Sequence, residues 1–263
     1  MMTDWGLLAD EITDWIREYS ERNGVSTLVV GVSGGIDSSV SSTLSARTGL
    51  DTFVLNMPIN QDIDQFELSN RHIRWLEQNW SNVKSVQIDL SKTIDVFRDE
   101  LDKEGISELA IANSKARLRM AALYAIAGSN DGIVVGTGNK VEDFGVGFFT
   151  KYGDGGVDIS PIADLYKSEV YSLGRELGVL KEVIDAPPTD GLWDDGRTDE
   201  DQMGASYTEL EWAMEHESLS SEISQSFELS ERQKEVLEVY KLLHNSNGHK
   251  MRPIPVFKRR TEG

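Results

Sequence analysis

The chain has 263 residues, 39% hydrophobic and 27% charged, a balance ordinary for a globular protein able to bury a substantial core. Its formal net charge of −19 opposes nucleic-acid binding, and the absence of cysteine excludes disulfides, thiolate metal sites and cysteine nucleophiles within it. No run approaches the ~18 consecutive apolar residues of a membrane span, and the acidic, amphipathic start is unlike a signal peptide, so a cytoplasmic chain with neither nucleic-acid nor membrane partners is expected.

Trp5, Leu8, Ile12, Trp15, Ile16 and Tyr19 recur at helical spacing and predict an amphipathic helix over 5–19. The β-branched run 26–32 is bounded by glycines and reads as a buried parallel strand. A helix follows from Ile36, then a strand over 52–57 stopped by Pro58, a helix over 64–80 and a strand over 83–90. Helices over 91–104 and 107–127, parted by Gly105, lead to a strand over 132–136. The order β-α-β-α-β-α-α-β predicts an α/β fold, a doubly wound, mostly parallel sheet of about five strands flanked by helices.

Residues 138–160 are glycine-rich and aperiodic, which in a compact domain points to function. A helix over 164–186 ends at Pro187-Pro188, and an acidic loop precedes two helices, over 206–217 and 230–245. No repeat and no linker divides the chain, so one domain over 1–263 is expected. In so acidic a protein, cations for polyphosphates must be gathered locally, and Lys250-Met251-Arg252 with Lys258-Arg259-Arg260 is one candidate run.

The strand 26–32 runs into Ser33-Gly34-Gly35-Ile36-Asp37-Ser38-Ser39 and a helix. Such a turn brings backbone N–H groups and the positive end of a helix to a phosphate, at the strand end where open α/β sheets bind ligands. The lysine of the Walker pattern is missing, as is the GxGxxG of dinucleotide folds. In the lysine's place stands Asp37, a carboxylate that phosphates repel unless a divalent cation lies between, so the turn implies Mg²⁺. The alternative is a plain tight turn with Asp37 merely favouring the helix dipole.

Ser33-Gly34-Gly35-Ile36-Asp37-Ser38 resembles the PP-loop of the N-type ATP pyrophosphatases, which cleave ATP to AMP and pyrophosphate while activating an oxygen. Within that superfamily Asn113–Met120, Gly136–Lys140, Phe148–Gly156, Leu165-Tyr166-Lys167, Pro188-Thr189-Asp190 and His249-Lys250 resemble the NAD synthetases in order and spacing. The resemblance spans about residues 5–257 and implies an adenine nucleotide alpha hydrolase-like fold. It also implies an activity: ATP-dependent amidation of deamido-NAD by ammonia through an acyl-adenylate, giving NAD, AMP and pyrophosphate. A tRNA-modifying PP-loop enzyme is the alternative, which would want cysteines or a basic surface.

By that resemblance Gly31, Val32, Ser33, Gly34, Gly35, Ile36, Asp37 and Ser38 wrap the ATP phosphates, and Thr137, Lys167 and Thr189 contact ATP. Asp37 and Lys167 are the residues on which the chemistry turns. Asp37 and Glu142 are the implied Mg²⁺ ligands; the segment between Glu142 and Lys151 is one residue longer than in many relatives, so Asp143 is an alternative to Glu142. Arg117, Lys151, Asp158, His249 and Lys250 are implied to hold deamido-NAD. The stretch from Met57 to Asp64 is shorter than in the family, and adenine contacts there stay unassigned. A homodimer is expected, with the dinucleotide across its interface and Arg117, Lys151, His249 and Lys250 reaching it from the neighbouring chain. Without cysteine, no thiolate glutaminase can be built here, so free ammonia is the expected donor.

Overall fold

The computed structural model describes residues 3–60, 63–189, 191–193, 197–219 and 228–259. Four strands, β1 Thr27–Gly31, β2 Asp51–Asn56, β3 Val83–Gln87 and β4 Gly132–Val135, form one parallel sheet in the order β3-β2-β1-β4. At its centre Val29 lies in register with Phe53 on one side and Val134 on the other. Leu28 and Val30 face one core while Val29, between them, faces another, so β1 has no polar face and its sequence shows no alternation.

The expected count of about five strands becomes four. A further extended segment, at Ile159, pairs only at an isolated parallel bridge with Val135, where the Gly136 N–H donates to the Ile159 carbonyl at 2.7 Å. Gly155-Gly156 before it and Pro161 after it, which has no N–H to give, prevent a longer ladder.

Helices cover both faces: α1 Trp5–Arg22, α2 Ile36–Arg47, α3 Ile63–Asn79, α4 Ser91–Leu101, α5 Glu108–Ser129, α6 Lys167–Glu176, α7 Lys181–Ile184, α8 Asp199–Met203, α9 Tyr207–Ser218 and α10 Glu231–Met251. On α1, Trp5, Ile12 and Tyr19 pack against the core shared with α2 and α6, whereas Trp15 is 43% exposed and lies beside Tyr19. Most of the apolar face of α1 is therefore consumed inside its own chain.

α2 is nearly featureless in hydrophobic pattern because its small residues are buried all round. Thr43 Oγ1 and Ser45 Oγ donate back to the carbonyls of Ser39 and Ser41 at 2.6 and 2.8 Å, which satisfies hydroxyls that water cannot reach. A helix this slim sits close to the sheet, and its N-terminus is set against the end of β1.

The single helix expected over 164–186 is two. Gly178 adopts φ +74°, its N–H reaches the Arg175 carbonyl and that of Val179 reaches Gly174, a glycine stop that closes α6 before α7 begins. The third strand ends at Gln87, short of the expected residue 90.

A second layer packs α8, α9 and α10 on a π-helical turn, Val141–Val146, through Val141, Val146, Leu210, Val236 and Tyr240. Capping boxes at Ser206/Glu209 and Ser230/Gln233 start α9 and α10. Arg232 of α10 binds both Glu209 oxygens at 2.7 and 2.8 Å and, as the leading influence, brings that carboxyl down to about 2. No helix among the described residues is long and apolar enough to cross a membrane.

β1 has β2 on one side and β4 on the other, so the chain reverses its direction of winding there. The carboxyl ends of β1 and β4 consequently diverge into a crevice, the place where open α/β sheets receive ligands.

Candidate active site

From Gly31 the chain turns through Val32-Ser33-Gly34-Gly35 into α2. Gly34 has φ +92°, and a Cβ on it would lie 2.9 Å from the Ser69 nitrogen and 3.1 Å from the Gln65 carbonyl, so only glycine lets the turn press on the backbone of α3. Ser69 Oγ donates to the Val32 carbonyl at 2.9 Å, fastening the turn from the same helix. Ser38 Oγ accepts the Ser33 N–H at 3.2 Å, lies 3.0 Å from Ser33 Oγ and donates to the Gly35 carbonyl at 3.0 Å. Gly35 at the N-cap offers α2 no side-chain cap, which leaves first-turn amides for an anion.

This turn forms one wall of a 590 Å³ cavity at the crevice. Thr137 after β4, Asn56 and Met57 at the end of β2, Thr189 after the proline pair, and Lys250 near the end of α10 line it as well. All eleven residues assigned to ATP from the sequence, Gly31 to Ser38 with Thr137, Lys167 and Thr189, border this one space.

Lys167 opens α6 and points into the cavity wall, 2% exposed. Its Nζ donates to Asp37 Oδ2 at 2.5 Å and to Glu142 Oε1 at 3.1 Å. Burial works against the ammonium, but Asp37 and Glu142 outweigh it and hold Lys167 protonated, above its ordinary value. Asn139 Nδ2 donates to the other Asp37 oxygen at 3.2 Å. The Tyr207 hydroxyl donates to Glu142 Oε1 at 2.6 Å and lies 3.2 Å from Asp199 Oδ2, with its ring 4.5 Å from Lys167 Nζ. Asp199 and Tyr207 carry no signal in the sequence that would have placed them here, and Asn139, inside the Gly136–Lys140 block, has no role assigned to it.

Three carboxylates thus surround one ammonium, an excess of negative charge suited to a divalent cation. Among the described residues no group of three or more His, Asp or Glu is arranged to hold a metal alone. Asp37 and Glu142, whose oxygens meet at Lys167, supply two hard ligands, and phosphate oxygens would have to complete the shell.

Asp143 faces elsewhere. Its carboxylate lies against Gly138 and borders a smaller recess of 130 Å³ with Asp154 and Lys250, where burial pushes it up to about 7. Glu142 and Asp143 both lie on the π-helical turn, a wider turn than the α-helix.

The residues assigned to deamido-NAD divide. Lys250 borders the cavity and donates to the Phe149 carbonyl at 2.7 Å. Arg117 is exposed on α5 and donates to the Lys151 carbonyl at 3.3 Å, while Lys151 Nζ donates to the carbonyl of exposed His249 at 3.2 Å. These three make a surface group outside the cavity. Asp158 accepts from Tyr124 Oη at 3.0 Å and from the Val134 N–H at 2.8 Å, so its carboxylate is tied to the end of β4. It is Arg119, two residues along α5, that borders the cavity, with Nε on the Met57 carbonyl at 3.1 Å. Of the basic run at the C-terminus only Lys250 reaches the cavity; Arg252, Lys258 and Arg259 are exposed, and Arg260 lies outside the described residues, as do Gln61, Asp62 and Asp190.

Comparison with known proteins agrees with this geometry. The model of the NAD synthase family matches residues 8–254. This chain belongs to the NAD synthase family. The NH(3)-dependent NAD(+) synthetase of Alkaliphilus metalliredigens is 38% identical over 253 residues, 94% of this chain and 96% of that one. That of Sulfurisphaera tokodaii is 39% identical over 209 residues, 79% of this chain and 72% of its own. Among solved structures, the NMN synthetase from Francisella tularensis superimposes with a TM-score of 0.86 at 30% identity, covering 98% of this chain and all (100%) of that one. The NH3-dependent NAD synthetase from Campylobacter jejuni gives a TM-score of 0.78 at 25% identity over 97% of this chain and 100% of its own. The matched span, residues 8–254, includes every residue that borders the cavity.

Proposed function

We propose that this ligase forms a C–N bond by amidating the nicotinate carboxylate of deamido-NAD with ammonia, using ATP, and that the observation carrying the reading is the glycine-serine turn facing Lys167, Asp37 and Glu142 across one crevice. The residues Gly31 to Ser38 bind the ATP phosphates through backbone amides, hydroxyls and the α2 N-terminus. Thr137 and Thr189 hold the nucleotide from two further walls, and Lys167 places an ammonium against the phosphates.

Mg²⁺ fits this donor set, held by Asp37 and Glu142. Asp143 is the poorer candidate, since it faces the smaller recess. When bound, the ion would neutralise the charge that builds on the departing pyrophosphate.

A carboxylate oxygen of the substrate attacks the α-phosphorus, the bond to the β-phosphate oxygen breaks, and pyrophosphate leaves an acyl-adenylate. Ammonia then attacks the carbonyl carbon, the C–O bond to AMP breaks, and one proton is released. Asp37 holds no covalent intermediate; Lys167 and the turn stabilise charge and fix geometry. The absence of cysteine agrees with ammonia as the direct donor.

Lys250 reaches the dinucleotide within its own cavity, and Asp158 orders the loop that borders it. Arg117, Lys151 and His249, clustered outside that cavity, reach the dinucleotide bound to the neighbouring subunit of a homodimer. The whole works as one domain in the cytoplasm.

The likeness to an NMN synthetase favours a second reading, in which nicotinic acid mononucleotide replaces the dinucleotide and the bonds made are the same. The test is steady-state turnover with ATP, Mg²⁺ and ammonium on each acid. A higher kcat/KM for deamido-NAD, with one AMP per NAD, is the expected result. Higher kcat/KM for the mononucleotide establishes the second reading, and turnover of neither removes both.

A further inference from the structure

Tyr207 lies 40 residues beyond Lys167 and 65 beyond Glu142, yet it is the first residue of α9 and its hydroxyl enters the carboxylate cluster. It is 5% exposed, so that hydroxyl has no water to fall back on. A phenol has one proton to donate and lone pairs to accept with. Two carboxylates compete for the proton: Glu142 Oε1 at 2.6 Å and Asp199 Oδ2 at 3.2 Å. The shorter contact, within the range of charge-assisted O–H···O⁻ bonds, takes it. Lys167 Nζ, 3.5 Å away, approaches the hydroxyl from its accepting side.

The consequence falls on Glu142. Both of its donors, the Tyr207 hydroxyl and the Lys167 ammonium, arrive at Oε1. Among the described residues none bonds to Oε2, and Glu142 borders the cavity. One oxygen is saturated by protein, and the other, on a side chain that borders the cavity, is left without a protein hydrogen bond among the described residues. We propose that Tyr207 is a positioning residue for the reaction: its hydroxyl locks Glu142 by one oxygen so that the other is presented to the cation that accompanies ATP. The same contact fastens α8 and α9 to the crevice, because Asp199 opens α8 and Tyr207 opens α9.

The inference rests on the proposed reading of the cavity as an ATP and Mg²⁺ site, so it is tested by metal binding rather than turnover. Tyr207→Phe keeps the ring beside Lys167 and removes only the hydroxyl. Mg²⁺ is titrated calorimetrically into the protein saturated with ATP, with no acid substrate present. Affinity is expected to fall by about tenfold, the worth of one hydrogen bond to a charged group, with KM for the acid substrate unchanged. Wild-type Mg²⁺ affinity in a folded Tyr207→Phe protein overturns the inference while leaving the cavity's reading intact. If wild-type protein shows no ATP-dependent Mg²⁺ binding, the reading of the cavity fails and the inference falls with it.

Discussion

Asp37→Ala should lower turnover by about three orders of magnitude or more while the protein stays folded. The carboxylate stands at the start of α2 beside amides that gather phosphate, and its effect on ATP would be repulsive without a cation between them. Its removal therefore takes away both a proposed ligand for that cation and a fixed contact of Lys167 at 2.5 Å. The fold has little reason to collapse. Lys167 keeps Glu142 at 3.1 Å and the ring of Tyr207, so its ammonium is not stranded, and one of three crowded carboxylates is gone. Circular dichroism and thermal melting check the fold, and single-turnover formation of AMP checks the chemistry. A folded Asp37→Ala protein with near-normal AMP formation would remove Asp37 from the reaction.

Lys167→Met should be as damaging to turnover, by about two to four orders of magnitude, but it should also cost stability. The ammonium is 2% exposed and is the contact between Asp37 and Glu142. Methionine fills the volume and leaves two carboxylates facing each other across a buried gap, the case in which losing one partner costs about 3–5 kcal/mol. Chemical denaturation of the two variants separates them: Lys167→Met is the less stable although both are inactive. Equal stability would mean that Lys167 does not compensate the two acids.

The contrast between these residues also explains which parts of the site the sequence discloses. The phosphate turn is local: a β-branched strand, two glycines and three hydroxyls follow each other within fourteen positions, 26–39, so the chemistry is written contiguously. Lys167 is legible by resemblance alone, since a lysine opening an apolar helix has no intrinsic meaning. Tyr207 reaches Glu142 across 65 residues and Asp199 joins through Tyr207, and nothing in their neighbourhoods distinguishes them from ordinary helix starts; Asn139, 102 residues from Asp37, lies in a block legible by resemblance, but its contact does not follow from that.

Helical register tells a similar story on α5. Arg117 and Arg119 are two apart and so point to different faces, but only the packing of α5 on the sheet decides that Arg119 borders the cavity and Arg117 does not. The fold was legible where apolar periodicity was long, as in the order of the first four strands and helices. It was not legible where one glycine decided, as at Gly178, or where a proline ended a ladder after one bridge, as at Pro161.

The reaction proposed for this crevice begins with attack of a substrate carboxylate on the α-phosphorus of ATP. The direct measurement uses deamido-NAD carrying ¹⁸O in both carboxylate oxygens, incubated with the purified chain, ATP, Mg²⁺ and ammonium, with the products resolved by mass spectrometry. The expected products are NAD retaining one labelled oxygen in its amide, AMP carrying the other in its phosphate, and unlabelled pyrophosphate. Unlabelled AMP, or label appearing in orthophosphate alongside ADP, would contradict that attack.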